Sequence, residues 1–244
     1  MAAPRADRDG SRLVGVMNAR NRPAARTADD VHGHLFQAIV DQRLLPGTKL
    51  TELALVETFG LGRRVVGAAL QRLVWERLLV SAPNRGVSVA APDVAEARDI
   101  FAARVAIEGG TTEAVARAGN PAHIARLEEN LAHERALRDA GRVREAIHFS
   151  GGFHVLMAEL SGNRILADLV RVLVARTSLV ISLFGNQDGL AGWHAHHDEL
   201  VRLCRDREAE QAARLMRAHI VELETGLALD RHPTTFDMIG VFGR

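Results

Sequence analysis

Apolar residues between Asp30 and Ala90 recur first at helical spacing and then at the spacing of strands. This pattern predicts a helix from Asp30 to Gln42, a second helix with Thr51 as its N-cap, and a third helix beginning near Arg63. The positions expected to face inward on these helices are Val31, Leu35, Ile39, Val40, Leu53, Val56, Phe59, Val66, Ala69, Leu70, Leu73 and Val74.

Two strand patterns follow, at Leu78–Ser81 and Val87–Ala90, on either side of a basic tip at Arg85-Gly86. The short segment Gly60-Leu61-Gly62 separates the second helix from the third. Helices joined by a tight glycine-containing turn and followed by a β-hairpin are typical of a winged helix-turn-helix. We therefore predict an α+β DNA-reading domain over residues 29–90.

From residue 94 onward the apolar pattern is helical almost to the end of the chain. Short turns connect the predicted helices, which predicts an all-α antiparallel bundle. The longest break, Gly185–Gly192, is expected to be a mobile loop. The predicted helices are Val94–Ala118, Pro121–Ala140, Arg142–Leu160, Asn163–Phe184, Trp193–Asp206 and Glu208–Leu229.

The expected fold class is therefore mainly α, with a winged helix-turn-helix followed by an all-helical bundle. The first residues lack periodicity and are rich in arginine, alanine and aspartate, which is typical of a flexible segment. The predicted domains are a flexible N-terminal arm at 1–28, the winged helix-turn-helix at 29–90, a linker at 91–93, a helical ligand-binding and dimerisation domain at 94–230, and a C-terminal tail at 231–244.

Composition changes this picture only in part. The 244 residues carry 31 basic and 30 acidic side chains, so net charge alone gives no argument for a nucleic-acid partner. The distribution of the basic residues does favour a nucleic-acid partner, because arginines cluster near the N-terminus and around the proposed DNA-reading domain. The single cysteine, Cys204, fits a reducing compartment, and no stretch reaches the roughly 18 apolar residues of a membrane span. We therefore expect a cytoplasmic protein that does not enter a membrane.

The start of the third helix carries the chemistry that DNA reading needs. In a helix-turn-helix the first residues of this helix reach base edges, and Arg63 and Arg64 occupy those positions. Arg85 at the wing tip is placed to meet phosphate or the minor groove. Winged helices also bind proteins, so a partner-binding module is the alternative interpretation of the same pattern.

This part of the chain resembles the GntR family of bacterial transcription regulators. The resemblance rests on Pro46-Gly47, Leu50-Thr51-Glu52, Leu61-Gly62-Arg63, Ala69-Leu70, Arg72-Leu73 and Arg85-Gly86. It implies DNA contacts from Thr51, Glu52, Arg63, Arg64, Arg72, Arg85 and Gly86. Gly62, Val65 and Gly67 depart from the family pattern, which has serine, proline and a second arginine there. Because Gly67 removes a base-reading side chain, we expect an atypical operator, with Arg64 covering part of the missing contact.

Three histidines in the helical half are candidate metal ligands. His154, His197 and His219 lie on three different predicted helices, and neutral imidazole suits zinc, nickel or iron. Sequence alone leaves open whether the three rings meet, since a lone histidine is more often an ordinary core or surface residue. Arg104 is the candidate clamp for a ligand carboxylate. The alternative for Arg104 is a salt bridge with Glu108, one helical turn away.

The helical half resembles the FCD ligand-binding domain of the FadR-type branch of the GntR family. The resemblance rests on Arg104-Val105-Ala106-Ile107-Glu108, Phe153-His154, Ser161-Gly162-Asn163 and the span from His197 through Ala212 and Met216 to His219. It implies a divalent metal held by His154, His197 and His219, with small organic acids bound against it. The family has an aspartate ligand four residues before the first of these histidines; this chain has Ser150.

Together these patterns predict a dimeric, ligand-responsive transcription regulator, most simply a repressor. Its helical domain would sense a small carboxylate or related metabolite, and two copies would read a pseudo-palindromic double-stranded operator. The alternative is a metal-dependent enzyme built on a helical bundle with three histidine ligands. The chain has no HExxH helix, phosphate-binding glycine loop or nucleophile elbow, so we expect that it is not an enzyme.

Overall fold

The structure is a computed structural model that describes residues 25–82, 86–185 and 195–230. Contacts divide the chain into two compact units, which meet along the sequence between Ala90 and Ala91. Residues Ile39–Pro46 group with the second unit. Among the described residues, no helix combines the length and the apolar character needed to cross a membrane.

The first unit is a winged helix-turn-helix, as predicted. Its strands form an antiparallel sheet in the order β1-β3-β2, with Lys49 opposite Ser88 and Leu79 opposite Val89. Strand β1 was not predicted, because two residues are too short to show an alternating pattern. The elements are α1 (Ala28–Val40), β1 (Lys49–Leu50), α2 (Glu52–Phe59), α3 (Arg63–Trp75), β2 (Leu79–Ala82) and β3 (Gly86–Val89).

Capping residues define the helix-turn-helix. The Thr51 hydroxyl accepts a hydrogen bond from the Ala54 amide at 3.3 Å, which starts α2 as the sequence predicted. Gly60 ends α2 in the left-handed conformation with φ 67°, a backbone geometry that favours glycine. Gly62 then starts α3 in an extended conformation without a side-chain cap.

Two apolar residues of the first unit, Leu53 and Trp75, face solvent, and for Leu53 the prediction of an inward position was wrong. Leu53 is 57% exposed, while Leu55 and Phe59, one turn apart on α2, are buried. Residues two positions apart on a helix point about 200° apart, so burial of position 55 turns position 53 outward. Trp75 is 79% exposed for the same reason, because Leu73, two positions earlier on α3, takes the inward position. Trp193, Arg85 and most of the predicted loop at Gly185–Gly192 lie outside the described residues.

The second unit is the predicted antiparallel helical bundle. Asp93 caps its first helix by accepting from the Glu96 amide at 2.8 Å, and Asn163 caps another by accepting from Leu166. Its core includes Phe101, Phe153 and Leu200, all fully buried. The described helices are α4 (Val94–Ala118), α5 (Pro121–Asp139), α6 (Val143–Leu160), α7 (Arg164–Phe184), α8 (Ala195–Arg205) and α9 (Ala209–Thr225).

The adjacent glycines of α6, Gly151 and Gly152, lie in continuous α-helix. A Cβ at Gly151 would lie 3.0 Å from Val174 Cγ1, so the absence of a side chain lets α7 pack closely against α6. A Cβ at Gly152 would meet only Asn130 Nδ2, at an ordinary 3.6 Å. Of the two glycines, Gly151 is therefore the one that allows α6, which carries His154, to lie close to α7.

Gly67→Ala should stabilise the first unit. Nothing lies within 4 Å of a Cβ at position 67, and alanine is favoured over glycine inside a helix by up to about 1 kcal/mol. Gly60→Ala should destabilise the same unit by about 1 kcal/mol, because alanine disfavours the left-handed conformation. Denaturant unfolding followed by circular dichroism measures both. If both variants changed the free energy of unfolding equally and in the same direction, these roles of Gly60 and Gly67 would be wrong.

Candidate metal centre and nucleic-acid interface

The first turn of α3 presents two arginines to solvent. Arg63 and Arg64 are both exposed directly after Gly62, and within the described residues neither forms an ion pair. Their guanidinium groups therefore keep their full hydrogen-bonding capacity for guanine or phosphate. Thr51 and Glu52 are also exposed, at the start of α2.

Arg72, also on α3, is held within the protein. Its guanidinium contacts Asp29 at 3.0 Å and Glu76 at 3.2 Å. Glu76 in turn lies 2.7 Å from His32 Nε2, so the chain of contacts ties α3 to α1. This arrangement orients α3 as well as placing a positive charge on its exposed side.

Gly86 is a further predicted DNA contact, and Gly67 is the position at which a contact was expected to be missing. Gly86 is exposed at the start of β3 with φ 77°, and Arg85 next to it lies outside the described residues. Gly67 is half-buried, and nothing in the described residues lies within 4 Å of where its Cβ would be. A Cβ at position 67, where the family pattern has its second arginine, would therefore meet open space.

Three buried histidines meet inside the second unit, and we call His154, His197 and His219 the histidine cluster. One ring nitrogen from each lies within 4.8 Å of the others. Nε2 of His197 lies 3.2 Å from Nε2 of His219, and the rings of His154 and His219 are parallel, with centroids 5.2 Å apart. The rings come from α6, α8 and α9, so only the folded bundle brings them together.

Two carboxylates orient the histidine cluster from behind. Glu108 Oε2 accepts from Nδ1 of His154 at 2.6 Å, and Glu134 Oε2 lies 3.2 Å from Nδ1 of His197. When Nδ1 carries the proton, Nε2 keeps its lone pair for a metal ion. Phe153 stacks on the His197 ring at 4.2 Å between centroids and limits its rotation. The donor set fits a divalent transition metal such as zinc.

Arg104 and Glu108 form a buried ion pair on α4. Arg104 Nε donates to Glu108 Oε1 at 2.6 Å, and Nη1 lies 3.4 Å from the Thr177 hydroxyl of α7. Burial favours the neutral carboxyl, but the charges of Arg104 and His154 outweigh it and lower the pKa of Glu108 to about 2. Glu108 is therefore a carboxylate near neutral pH, shared between the guanidinium and the imidazole.

Burial favours the neutral form of two rings of the cluster, those of His154 and His219. It lowers the pKa of His154 to about 4, although the Glu108 carboxylate opposes this shift. It also lowers the pKa of His219, and the neighbouring His154 and His197 rings act in the same direction. Neutral imidazole is the form that ligates metal, so two rings of the cluster are ready to bind near neutral pH.

Ser150 lies one helical turn before His154 on α6 and is only 7% exposed. A cavity of about 40 Å³ opens beside it. The polar side chains in the cavity wall are those of Arg104, His148, Ser150, His154, Thr177 and Ser178. The position at which the family has an aspartate therefore carries a neutral hydroxyl next to the histidine cluster.

Glu134 is the functional residue that sequence reasoning missed. It is 2% exposed and follows Ile124, Leu127 and Leu131 on the buried face of α5. An acidic residue that continues an apolar stripe at helical spacing is the signal that could have identified it. His196, next to His197, is half-buried and faces Glu222 at 3.5 Å, while His194 lies outside the described residues.

Several known regulators are similar to this chain. The HTH-type transcriptional regulator YdhC of Bacillus subtilis (strain 168) is 25% identical over 140 residues, which are 57% of this chain and 62% of the relative. An HTH-type regulator from an unstable DNA locus of Streptomyces ambofaciens is matched over only 56% of its length, so the chain spans less than two thirds of both relatives. The HTH-type transcriptional repressor RspR of Escherichia coli (strain K12) is 22% identical over 82% of this chain and 89% of its own length.

Solved structures share the fold. A transcriptional regulator GntR from Rhodococcus sp. RHA1 superposes with a TM-score of 0.72 at 22% identity, over 81% of this chain and 95% of that one. E. coli McbR/YncC superposes with a TM-score of 0.68 at 22% identity, over 82% of this chain and 98% of that one. Residues 27–89 match the gntR family of bacterial regulatory proteins, and residues 99–222 match the FCD domain. The chain therefore belongs to the GntR family, and its second domain is an FCD domain.

Proposed function

We propose that the chain is a dimeric, ligand-responsive repressor that holds a divalent metal ion in its helical domain and senses a small organic acid there. His154, His197 and His219 hold the metal, and Arg104 in the cavity wall contacts the acid. Repression is supported by the E. coli relative, whose name describes a transcriptional repressor. The first domain reads a pseudo-palindromic operator with Arg63 and Arg64.

The observation that carries this proposal is the convergence of the histidine cluster with its carboxylate partners. Buried imidazoles oriented by Glu108 and Glu134 form a preorganised site for a Lewis acid. When bound, the metal supplies a positive charge that attracts a carboxylate. Arg104 adds a guanidinium whose orientation Glu108 and Thr177 maintain. Family membership favours a regulator over the metal-dependent enzyme as the use of this site.

Regulation requires that the acid bind the DNA-competent and DNA-incompetent states with different affinities. The cavity lies among α4, α6 and α7, so a ligand there changes how these helices pack. Residues 91–93 connect α4 directly to the reader and carry this change to the spacing of the two recognition helices in the dimer.

Arg63→Ala and Arg64→Ala should each weaken binding to a fragment of the chain's own upstream region by about tenfold, because each removes an exposed guanidinium worth about 1 to 3 kcal/mol at a base. Gel-shift titration at two salt concentrations measures the loss. Arg126→Ala is the matched control, since it removes an exposed arginine from α5. Binding that is equally weakened by all three variants, or unaffected by salt, would contradict the assignment.

Zinc affinity should depend on the histidine cluster and on Glu134. His219→Ala removes a ligand and should lower affinity more than Glu134→Gln, for which loss of an outer partner predicts a decrease of about 10- to 100-fold. His133→Ala, on an exposed histidine of α5, should leave affinity unchanged. Competition with a chromophoric chelator measures all three. Wild-type affinity in the His219→Ala variant would contradict the proposed metal site.

The metal-free protein should lose stability as pH falls below 6.5. The unfolded chain binds protons there at its histidines, whereas folded His154 stays neutral down to about pH 4. This shift corresponds to on the order of 3 kcal/mol, lost progressively between those pH values. Glu108 adds a further loss of stability as pH falls from 4.5 towards 2. Its pKa is lowered in the folded protein, so Glu108 stabilises the fold only while its carboxylate is ionised. Urea unfolding at several pH values tests this prediction. The free energy of unfolding of the His154→Gln variant should change less with pH than that of the wild type.

The dimer should depend on α7. Ile165 and Leu169 are 74% and 47% exposed and lie one turn apart, which is typical of an apolar contact surface. Ile165→Asp should weaken self-association at least about tenfold, because a buried charge replaces an apolar contact. Sedimentation velocity measures this, with Val221→Asp, at an exposed position of α9, as the control. An Ile165→Asp variant that stays dimeric at low concentration would exclude this face.

A further inference from the structure

The outward side of α3 carries two very short side chains between two polar ones. Positions 64, 67, 68 and 71 fall within about 100° of one another around the helix axis, because 3.6 residues make one turn. They lie opposite the buried positions of the same helix, such as Val66 and Leu73. This outward stripe consists of Arg64, Gly67, Ala68 and Gln71, and all of these except the half-buried Gly67 are exposed.

The short side chains make the middle of the outward stripe shallow. The side chain of Ala68 is a single methyl group, and nothing in the described residues lies within 4 Å of where a Cβ of Gly67 would be. A partner that approaches α3 from outside can therefore come close to the helix backbone at these positions. The longer side chain of Gln71 stands beside this shallow stretch, so its amide is the polar group that such a partner would meet.

The amide of Gln71 is available for binding. Within the part of the chain that the structure describes it forms no hydrogen bond, whereas its neighbour Arg72 is held by Asp29 and Glu76. In the major groove, adenine presents the N6 amino group as a donor and N7 as an acceptor. A glutamine amide matches both, because its oxygen accepts from N6 while its NH2 group donates to N7.

The length of the outward stripe fits one major groove. With a rise of about 1.5 Å per residue, Gln71 lies about 10.5 Å beyond Arg64 along the helix axis. The major groove of B-form DNA is about 12 Å wide, so both side chains can lie within the same groove. One base-pair step is about 3.4 Å, and Gln71 is therefore placed about three steps from the base that Arg64 contacts.

Resting on the DNA reading proposed above, we propose that Gln71 is a specificity-determining residue that reads an adenine in the major groove. Gly67 and Ala68 allow α3 to approach the base edges closely enough for the Gln71 amide to reach them. Base reading then extends beyond the first turn of α3 to its middle. Each half of the operator contains an A·T pair about three steps from the guanine that Arg64 reads.

Selection from a pool of randomised double-stranded DNA by the full-length protein tests this role. The wild type should select sites in which one adenine lies about three base pairs from a guanine. Gln71→Ala should lower the preference for that adenine at least about fivefold, the lower end of what a good bidentate contact contributes, and should keep the guanine. Gln71→Arg should change the preferred base from adenine to guanine, because arginine pairs with guanine O6 and N7.

Two further variants separate base reading from a general loss of binding. Gln211→Ala makes the same change at an exposed position of α9 and should leave the selected sites unchanged. Ala68→Leu fills the shallow stretch and should reduce the preference for adenine, although it leaves Gln71 in place. Gel-shift titration with the selected duplex, and with a duplex in which that A·T pair is replaced by G·C, measures each fold-change.

The outcomes separate the role of Gln71 from the DNA reading on which it rests. A Gln71→Ala variant that selects the same sites as the wild type would overturn this role and leave DNA reading by Arg63 and Arg64 standing. Equal weakening of that variant on both duplexes would indicate a backbone contact and would also overturn it. A wild-type protein that selects no sequence from the pool would remove both. All of these substitutions place good helix formers at exposed positions, so the helices should be retained, as circular dichroism can verify.

Discussion

The buried ion pair between Arg104 and Glu108 is the constraint on which the helical unit depends. Removing one partner of such a pair leaves an uncompensated charge and typically costs about 3 to 5 kcal/mol. Glu108 also accepts from His154, and Arg104 contacts Thr177, so the pair links α4 to α6 and α7. Through Glu134, His197 and His219 the same network extends to α5, α8 and α9. Every helix of the described bundle thus contributes a polar side chain to one buried site.

This constraint also fixes the directions of the other buried polar groups. Glu108 compensates Arg104, and Glu108 and Glu134 contact two imidazoles of the histidine cluster. Apolar packing completes the arrangement, since Phe153 stacks on His197 and Gly151 admits α7 close to α6. The fold therefore fixes the direction of each ring in the histidine cluster, and a change of charge there would affect the packing of several helices.

The first unit also uses arginine ion pairs, but at its surface. Partly exposed ion pairs connect α3 to α1 through Arg72, Asp29, Glu76 and His32. Each of these contacts stabilises the unit less than a buried ion pair would. Arg63 and Arg64 form no ion pair among the described residues, which leaves them available to DNA. The arginines of α3 therefore differ in role, since Arg72 holds the helix in place while Arg63 and Arg64 are exposed to solvent.

The sequence by itself determined the fold class, the helices and their caps, because periodicity and capping at residues such as Thr51 and Asp93 are local properties. It also identified the three histidines, although only as residues on separate helices. Tertiary structure decided that their rings meet, that Glu134 orients one of them, and that Leu53 and Trp75 face outward. These features depend on contacts between helices distant in sequence, and a helical rotation of one or two positions changes them without altering the local pattern.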